Sequence, residues 1–251
     1  IISQCVSAAL VVVCLVRSNG AYQLHLKQLC VKKDKLLQIV QVGLPAGIQG
    51  AVFSVSNVLI QSSINSFGSV AMAGNTAAGN IEGFVYTSMN ALYQASLSFT
   101  SQNVGAKKLN RVVPVLVRCL GAVVVVGAAL SSLAILLSRQ LLGIYSSDPA
   151  VIQYGVGRLE VVCATYFLCG MMDVACGSMR GLGSSIIPTV VSLAGACGLR
   201  ILWIFTIFAV DRTLYCLYLS YPITWIITFV CHLTCFLIFL YVKKRREAAQ
   251  P

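Results

Sequence analysis

Glu82 is an acid set inside an otherwise uncharged helical pattern. The pattern occupies residues 75–111, NTAAGNIEGFVYTSMNALYQASLSFTSQNVGAKKLNR, and closes on a basic turn. At about 100° per residue, Asn75, Gly79, Glu82, Tyr86, Met89, Tyr93 and Thr100 share one sector, while Ile81, Phe84, Val85, Leu92 and Phe99 look elsewhere. A carboxylate in such a stripe can bind a cation or a proton and release it. Tyr86, Met89 and Tyr93 beside it can meet a flat organic cation through ring faces and a polarizable thioether, or serve as core. The preceding helix has its own polar face, Gly50, Ser54, Asn57, Gln61 and Asn65, suited to interhelical hydrogen bonds or to the wall of a water-filled cavity.

Depth ties the two faces together. The turn between them centres near Val70, so Glu82 is level with Val58, close to Asn57 and Gln61. At ~1.5 Å per residue Glu82 lies about 18 Å from the turn, near the middle of a bilayer. An unpaired carboxylate there costs about 2.5 to 3.5 kcal/mol, so such an acid is paired or functional. The same arithmetic about a later turn near Arg180 puts Glu160 level with Arg200, which predicts a buried ion pair between them. Arg158 shares a face with Tyr154, and Asp173 is expected to partner Arg180 at the membrane interface.

Other residues carry less chemistry. The eleven cysteines include no CxxC pair. Cys163, Cys169 and Cys176, or Cys231 and Cys235, have no histidine at ligand spacing and read as packing residues, so no metal or other cofactor is expected. The turn CGSMRGLGSSIIP lacks a Walker lysine and a preceding strand, which rules out a phosphate cradle. Gly177, Gly181 and Gly183 are expected to let helices approach closely there, with Pro188 opening the next helix. His232 reads as a hydrogen-bonded core residue and His25 as a surface one. No HExxH or comparable constellation appears, so the chain is not expected to be an enzyme and has no catalytic residues.

The elements that hold these residues are transmembrane helices. The chain is 58% hydrophobic and 10% charged, with mean hydropathy +0.86, which no ordinary soluble domain matches. Seven apolar windows run at about 1–16, 42–65, 70–103, 112–137, 150–172, 187–210 and 216–242. The fourth is almost wholly apolar and reads as a lipid-facing support. Basic residues alternate between connections. One set holds Arg17, Lys27, Lys32, Lys33 and Lys35, then Lys107, Lys108 and Arg111, then Arg180, then Lys243, Lys244, Arg245 and Arg246. The other set has an uncharged turn and two loops with Arg139 and Asp148, and Asp211 and Arg212. The positive-inside rule then puts the C-terminus in the cytoplasm, and the chain is expected to be a multi-pass protein of the plasma membrane. The net charge of +11 is scattered over separate loops, which argues against nucleic acid and for anionic membrane lipids near the basic tail.

Three stretches in order, GLPAGIQG at 43–50, SQNVGAKKLNRV at 101–112 and SMRGLGSSIIP at 178–188, resemble the MATE (multidrug and toxic compound extrusion) family. The resemblance spans nearly the whole chain. It implies an all-α integral membrane protein, half of a twelve-helix fold. Residues 1–16 would be the last helix of a missing amino-terminal lobe, 17–41 a cytoplasmic inter-lobe linker, 42–242 the carboxyl-terminal six-helix lobe and 243–251 a basic cytoplasmic tail. The start on Ile1, with no basic run before the first apolar stretch, agrees with a chain beginning inside a helix. The family exports organic cations in exchange for H⁺ or Na⁺. The resemblance therefore implies Glu82 as ion-coupling candidate, Asn57, Gln61, Tyr86, Met89 and Tyr93 as substrate-cavity candidates, and Arg158, Glu160 and Arg200 as a buried charge network. Some members carry an acid on the first helix of this lobe; residues 42–65 have none, so the coupling acid is Glu82 or belongs to the missing lobe. A flippase for lipid-linked sugar precursors, which would want the arginines in a cationic cavity, and a non-transporting membrane scaffold are the alternatives.

Overall fold

The computed structural model describes residues 1–18, 20, 23–25 and 30–248. Lys27, the short helical run expected around it, and residues 249–251 of the tail lie outside the described residues. The chain divides into two compact units, Ile1–Gln41 and Val42–Pro251. In the first, α1 (Ile2–Arg17) is followed by a chain that folds back, with the Leu24 amide donating to the Leu15 carbonyl at 3.0 Å and Gln23 Nε2 to the Val16 carbonyl at 3.3 Å.

The described residues of the second unit form helices joined by short turns, the first of them, α2, beginning in the first unit. α2 (Lys33–Asn65) carries Pro45 inside it, and α3 (Ser69–Gly105) follows after Gly68, whose φ of 92° makes the turn. A 3₁₀ turn, Leu109–Arg111, leads into α4 (Val112–Leu136), and a short α5 (Ser138–Gly143) follows. Asp148 then caps α6 (Pro149–Val161), its carboxylate accepting the Ala150 amide at 2.8 Å with Pro149 in the first turn. One 3₁₀ turn, Cys163–Thr165, separates α6 from α7 (Tyr166–Gly181). The next span joins α8 (Ile186–Ser192), a π-helical turn (Leu193–Gly198), α9 (Leu199–Phe205) and α10 (Ile207–Val210). α11 (Leu214–Ala248) runs through Pro222 to the basic tail.

Five helical stretches among the described residues, Lys33–Asn65, Leu109–Leu136, Pro149–Gly181, Ile186–Val210 and Leu214–Arg246, are long and apolar enough to cross a membrane, and α1 is a shorter apolar helix. The chain is a multi-pass membrane protein. α3 is the longest helix, at 37 residues, yet too polar to stand among those five. It is placed where polarity is tolerated, packed against α4, α6 and α7. Its buried face carries Asn75, Glu82, Ser96 and Thr100, while Phe84 and Phe99 point outward.

Contact across α3 depends on small residues, the usual device where lipid supplies no hydrophobic drive. A Cβ at Gly74 would meet the Val151 carbonyl of α6 at 2.5 Å, and one at Gly177 or Gly181 would run into Tyr93 or Thr100. Gly183 differs from its expected role: it contacts nothing close and instead supplies φ 96° for the turn between α7 and α8. α4 is more than a lipid-facing support, because Leu116, Val123 and Gly127 are buried against α3 and α7 while Val117 and Val125 remain exposed.

Candidate functional site: a buried ion pair beside a polar, aromatic cavity

Glu82 is salt-bridged. Its carboxylate accepts Arg158 Nε at 2.7 Å on Oε1 and Nη2 at 2.8 Å on Oε2, a two-pronged pair joining α3 to α6, with both residues buried. The third guanidinium nitrogen, Nη1, donates to Asn75 Oδ1, two turns before Glu82 on the same stripe. Asn75 Nδ2 donates to Gln61 Oε1 of α2 at 3.2 Å, and Gln61 Nε2 donates to Asn65 Oδ1 at 3.0 Å. The Arg158 guanidinium also lies 5.8 Å from the Tyr218 ring and 5.6 Å from the Tyr221 ring of α11. Four helices therefore meet on one arginine and its partners.

The pairing of Glu160 with Arg200 does not form. Two residues along a helix is about 200° of rotation, so with Arg158 turned inward Glu160 faces out and is exposed. Arg200 is buried, donating Nη2 to Thr224 Oγ1 at 3.3 Å, with its guanidinium 4.3 Å from the Tyr221 ring and its Nε unpartnered. Tyr154, expected beside Arg158, is partly exposed.

Next to this network lies a cavity of about 440 Å³. Gln49, Asn57, Tyr86, Asp173, Arg180 and Arg200 form its polar wall, and Tyr166, Tyr221 and Trp225 its aromatic one. The rings are set edge to face: Tyr86 to Tyr166 at 6.4 Å, Tyr166 to Trp225 at 5.4 Å and Trp225 to Tyr221 at 5.6 Å. Glu82 does not line the cavity, although Tyr86, one turn along α3, does. Of the other cavity candidates, Asn57 is on the wall and Gln61 is in the Asn75 network instead. Tyr93 supports the wall, its hydroxyl accepting from Arg180 Nη1 at 2.7 Å while Arg180 Nη2 donates to Gln49 Oε1 at 2.6 Å. Met89 is core: fully buried, with its sulfur pressed toward Gly170 of α7 and Gly127 of α4.

Asp173 is the carboxylate of the cavity wall. The expected Asp173–Arg180 pair does not form: among the described residues the Glu82–Arg158 contact is the one salt bridge, and Arg180 is engaged by Tyr93 and Gln49. Tyr166, Asp173 and Arg180 recur at intervals of seven along α7, so all three present to the same side. That interval was the available signal for this wall, as the four-residue steps Gln49–Phe53–Asn57 and Tyr221–Trp225 were for the other two. His232 is a core residue hydrogen-bonded through Nε2 to Ser192 Oγ at 3.0 Å.

The MatE family model matches residues 45–206. The chain is 24% identical over 175 residues to the probable multidrug resistance protein YoeA of Bacillus subtilis, covering 70% of this chain and 38% of YoeA. It is 23% identical over 172 residues to the probable multidrug resistance protein NorM of Aromatoleum aromaticum, covering 68% of this chain and 37% of NorM. A solved outward-facing structure of a multidrug resistance MATE family transporter of the MOP superfamily shares the fold, with TM-score 0.85 at 14% identity over 97% of this chain and 55% of that one. The chain thus spans less than two fifths of the length of these curated relatives. On a family match across most of its length, the chain belongs to the MatE family.

Proposed function

We propose that this chain acts as the carboxyl-terminal lobe of a secondary transporter of the plasma membrane that exports organic cations and other xenobiotics by H⁺ or Na⁺ antiport. The observation that carries the reading is Asp173: a carboxylate with no ion-pair partner among the described residues, on the wall of a cavity lined by five aromatic rings. An organic cation gains from both the charge and the ring faces. A proton or sodium ion competes for the same carboxylate, so drug and coupling ion exclude one another. Rocking of this lobe against an amino-terminal lobe would present the cavity to each side in turn. Glu82 remains a second coupling candidate, reachable by a cation when Arg158 is drawn away; its two-pronged pairing supports a fixed strut instead. The lipid-linked precursor flippase stays as the alternative, since Arg180 and Arg200 share the cavity wall.

The test is ethidium efflux from efflux-deficient cells expressing the full transporter that contains this lobe, under imposed proton or sodium gradients. Asp173→Asn is expected to abolish gradient-driven efflux while the protein inserts at parent levels. Full efflux by Asp173→Asn together with loss in Glu82→Gln would move coupling to the ion pair. No gradient-driven efflux from a well-inserted parent would favour the flippase.

A further inference from the structure

One face of α11 changes character along its length. Cys235, Ile238, Phe239 and Val242 give way to Lys243 and Arg246, and together with Leu182, Gly183 and Ile187 they line a groove of about 730 Å³ between α11 and the α7–α8 turn. From Cys235 to Arg246 is about 16 Å of helix, apolar for most of its length and cationic at the end next to the tail. We propose that this groove is a binding site for an anionic phospholipid, with an acyl chain along the apolar floor and the phosphate at Lys243 and Arg246.

The cationic end is built as well as charged. Lys243 Nζ donates to the Leu182 carbonyl at 2.8 Å, which fixes the ammonium at the groove mouth and leaves its other N–H groups for a ligand. Gly183, with φ 96°, closes the turn without a side chain over the opening. Arg246 is exposed and free to make a two-pronged phosphate contact. A second basic concavity beside the tail, lined by Lys107, Lys108, Arg111 and Lys244, adds positive potential at the same end. A zwitterionic lipid fills the apolar floor equally well but gains less from this mouth, so charge is what the site selects. The leaflet, cytoplasmic, rests on the orientation proposed from the loop charges; the binding does not, and is measured in detergent.

The purified full transporter is titrated with dioleoyl phosphatidylglycerol or dioleoyl phosphatidylcholine, and lipid adducts are counted by native mass spectrometry. The parent is expected to favour phosphatidylglycerol by about tenfold, Arg246→Gln to lose most of that preference, and Lys243→Gln/Arg246→Gln to bring it within about twofold of unity. Lys32→Gln/Lys35→Gln, which removes the same charge elsewhere, should leave the preference unchanged. Arg246 is exposed and makes no side-chain hydrogen bond among the described residues, so the effect of Arg246→Gln is not one of folding. Equal binding of the two lipids by the parent, equal loss in the linker variant, or a lipid-free dimer whose contact is broken by Ile238→Lys would each overturn the proposal.

Discussion

Arg158 answers to three groups at once, so removing any one of them has a different cost. Glu82→Gln leaves a buried guanidinium without its counter-charge, and Arg158→Met leaves a buried carboxylate in the same state. Each is expected to destabilise the protein by about 3 to 5 kcal/mol, whereas the double change Glu82→Gln/Arg158→Met removes both charges and should recover much of the loss. Thermal unfolding of the purified variants checks this as a double-mutant cycle; additive losses would mean that the pair is not the strut it is taken to be. Asp173 behaves oppositely. With no ion-pair partner among the described residues, Asp173→Asn gives up no salt bridge, and as a near-isosteric change of a half-buried side chain on a cavity wall it should leave the melting midpoint within about 2 °C of the parent. A loss of transport in Asp173→Asn then reports on chemistry, whereas a loss in Glu82→Gln must first be corrected for folding.

The central helix α3 shows how close packing accommodates a polar stripe. Gly74 lets α3 approach the α6 backbone, and Gly79, one turn on, has nothing within 4 Å of where a Cβ would be. Gly74→Ala must therefore push rigid backbone apart at about 1 to 3 kcal/mol, while Gly79→Ala gains helix propensity of up to about 1 kcal/mol. Opposite shifts in melting midpoint are expected for two identical substitutions five residues apart; shifts of one sign would refute the packing account. The stripe itself was legible in the sequence, because a period of 3.6 puts Asn75, Glu82, Met89 and Thr100 on one buried face whatever they pack against. The partner of Glu82 was not. Matching depths across a turn yields a level but no rotation, and the two residues separating Arg158 from Glu160 decide which of them looks inward. Uniform helical arithmetic also fails beyond the 3₁₀ turn at Cys163–Thr165 and the π-helical turn at Leu193–Gly198, each of which changes the phase of the residues that follow. Arg200 lies just past the second.

At the scale of the whole chain the proposed orientation rests on the surplus of lysine and arginine, and the structure sharpens which charges count. Arg180, placed by its sequence among the inner connections, belongs to α7 and is engaged by Tyr93 and Gln49 on the cavity wall, so it is withdrawn from the loop tally. Without it the proposed orientation still assigns the basic groups of the linker, of the turn at Lys107 and Lys108 and of the tail to one side, and to the other the loops where Arg139 and Asp148, and Asp211 and Arg212, cancel. Removing one charge from so large an imbalance leaves the expected orientation unchanged. Cys30, exposed and near the linker lysines, is then a native reporter for the expected inside. Ser147, exposed in the loop before α6, can be made one for the outside. Thiols buried inside the protein, such as Cys163 or Cys176, do not meet a charged reagent in either case. In intact cells a membrane-impermeant maleimide is expected to label Ser147→Cys in a Cys30→Ser background, and to label Cys30 of the parent only after permeabilisation. The reverse pattern would place the basic tail outside, and with it the lipid groove in the other leaflet. Labelling of both sites from outside would break the alternation on which the seven-helix topology depends.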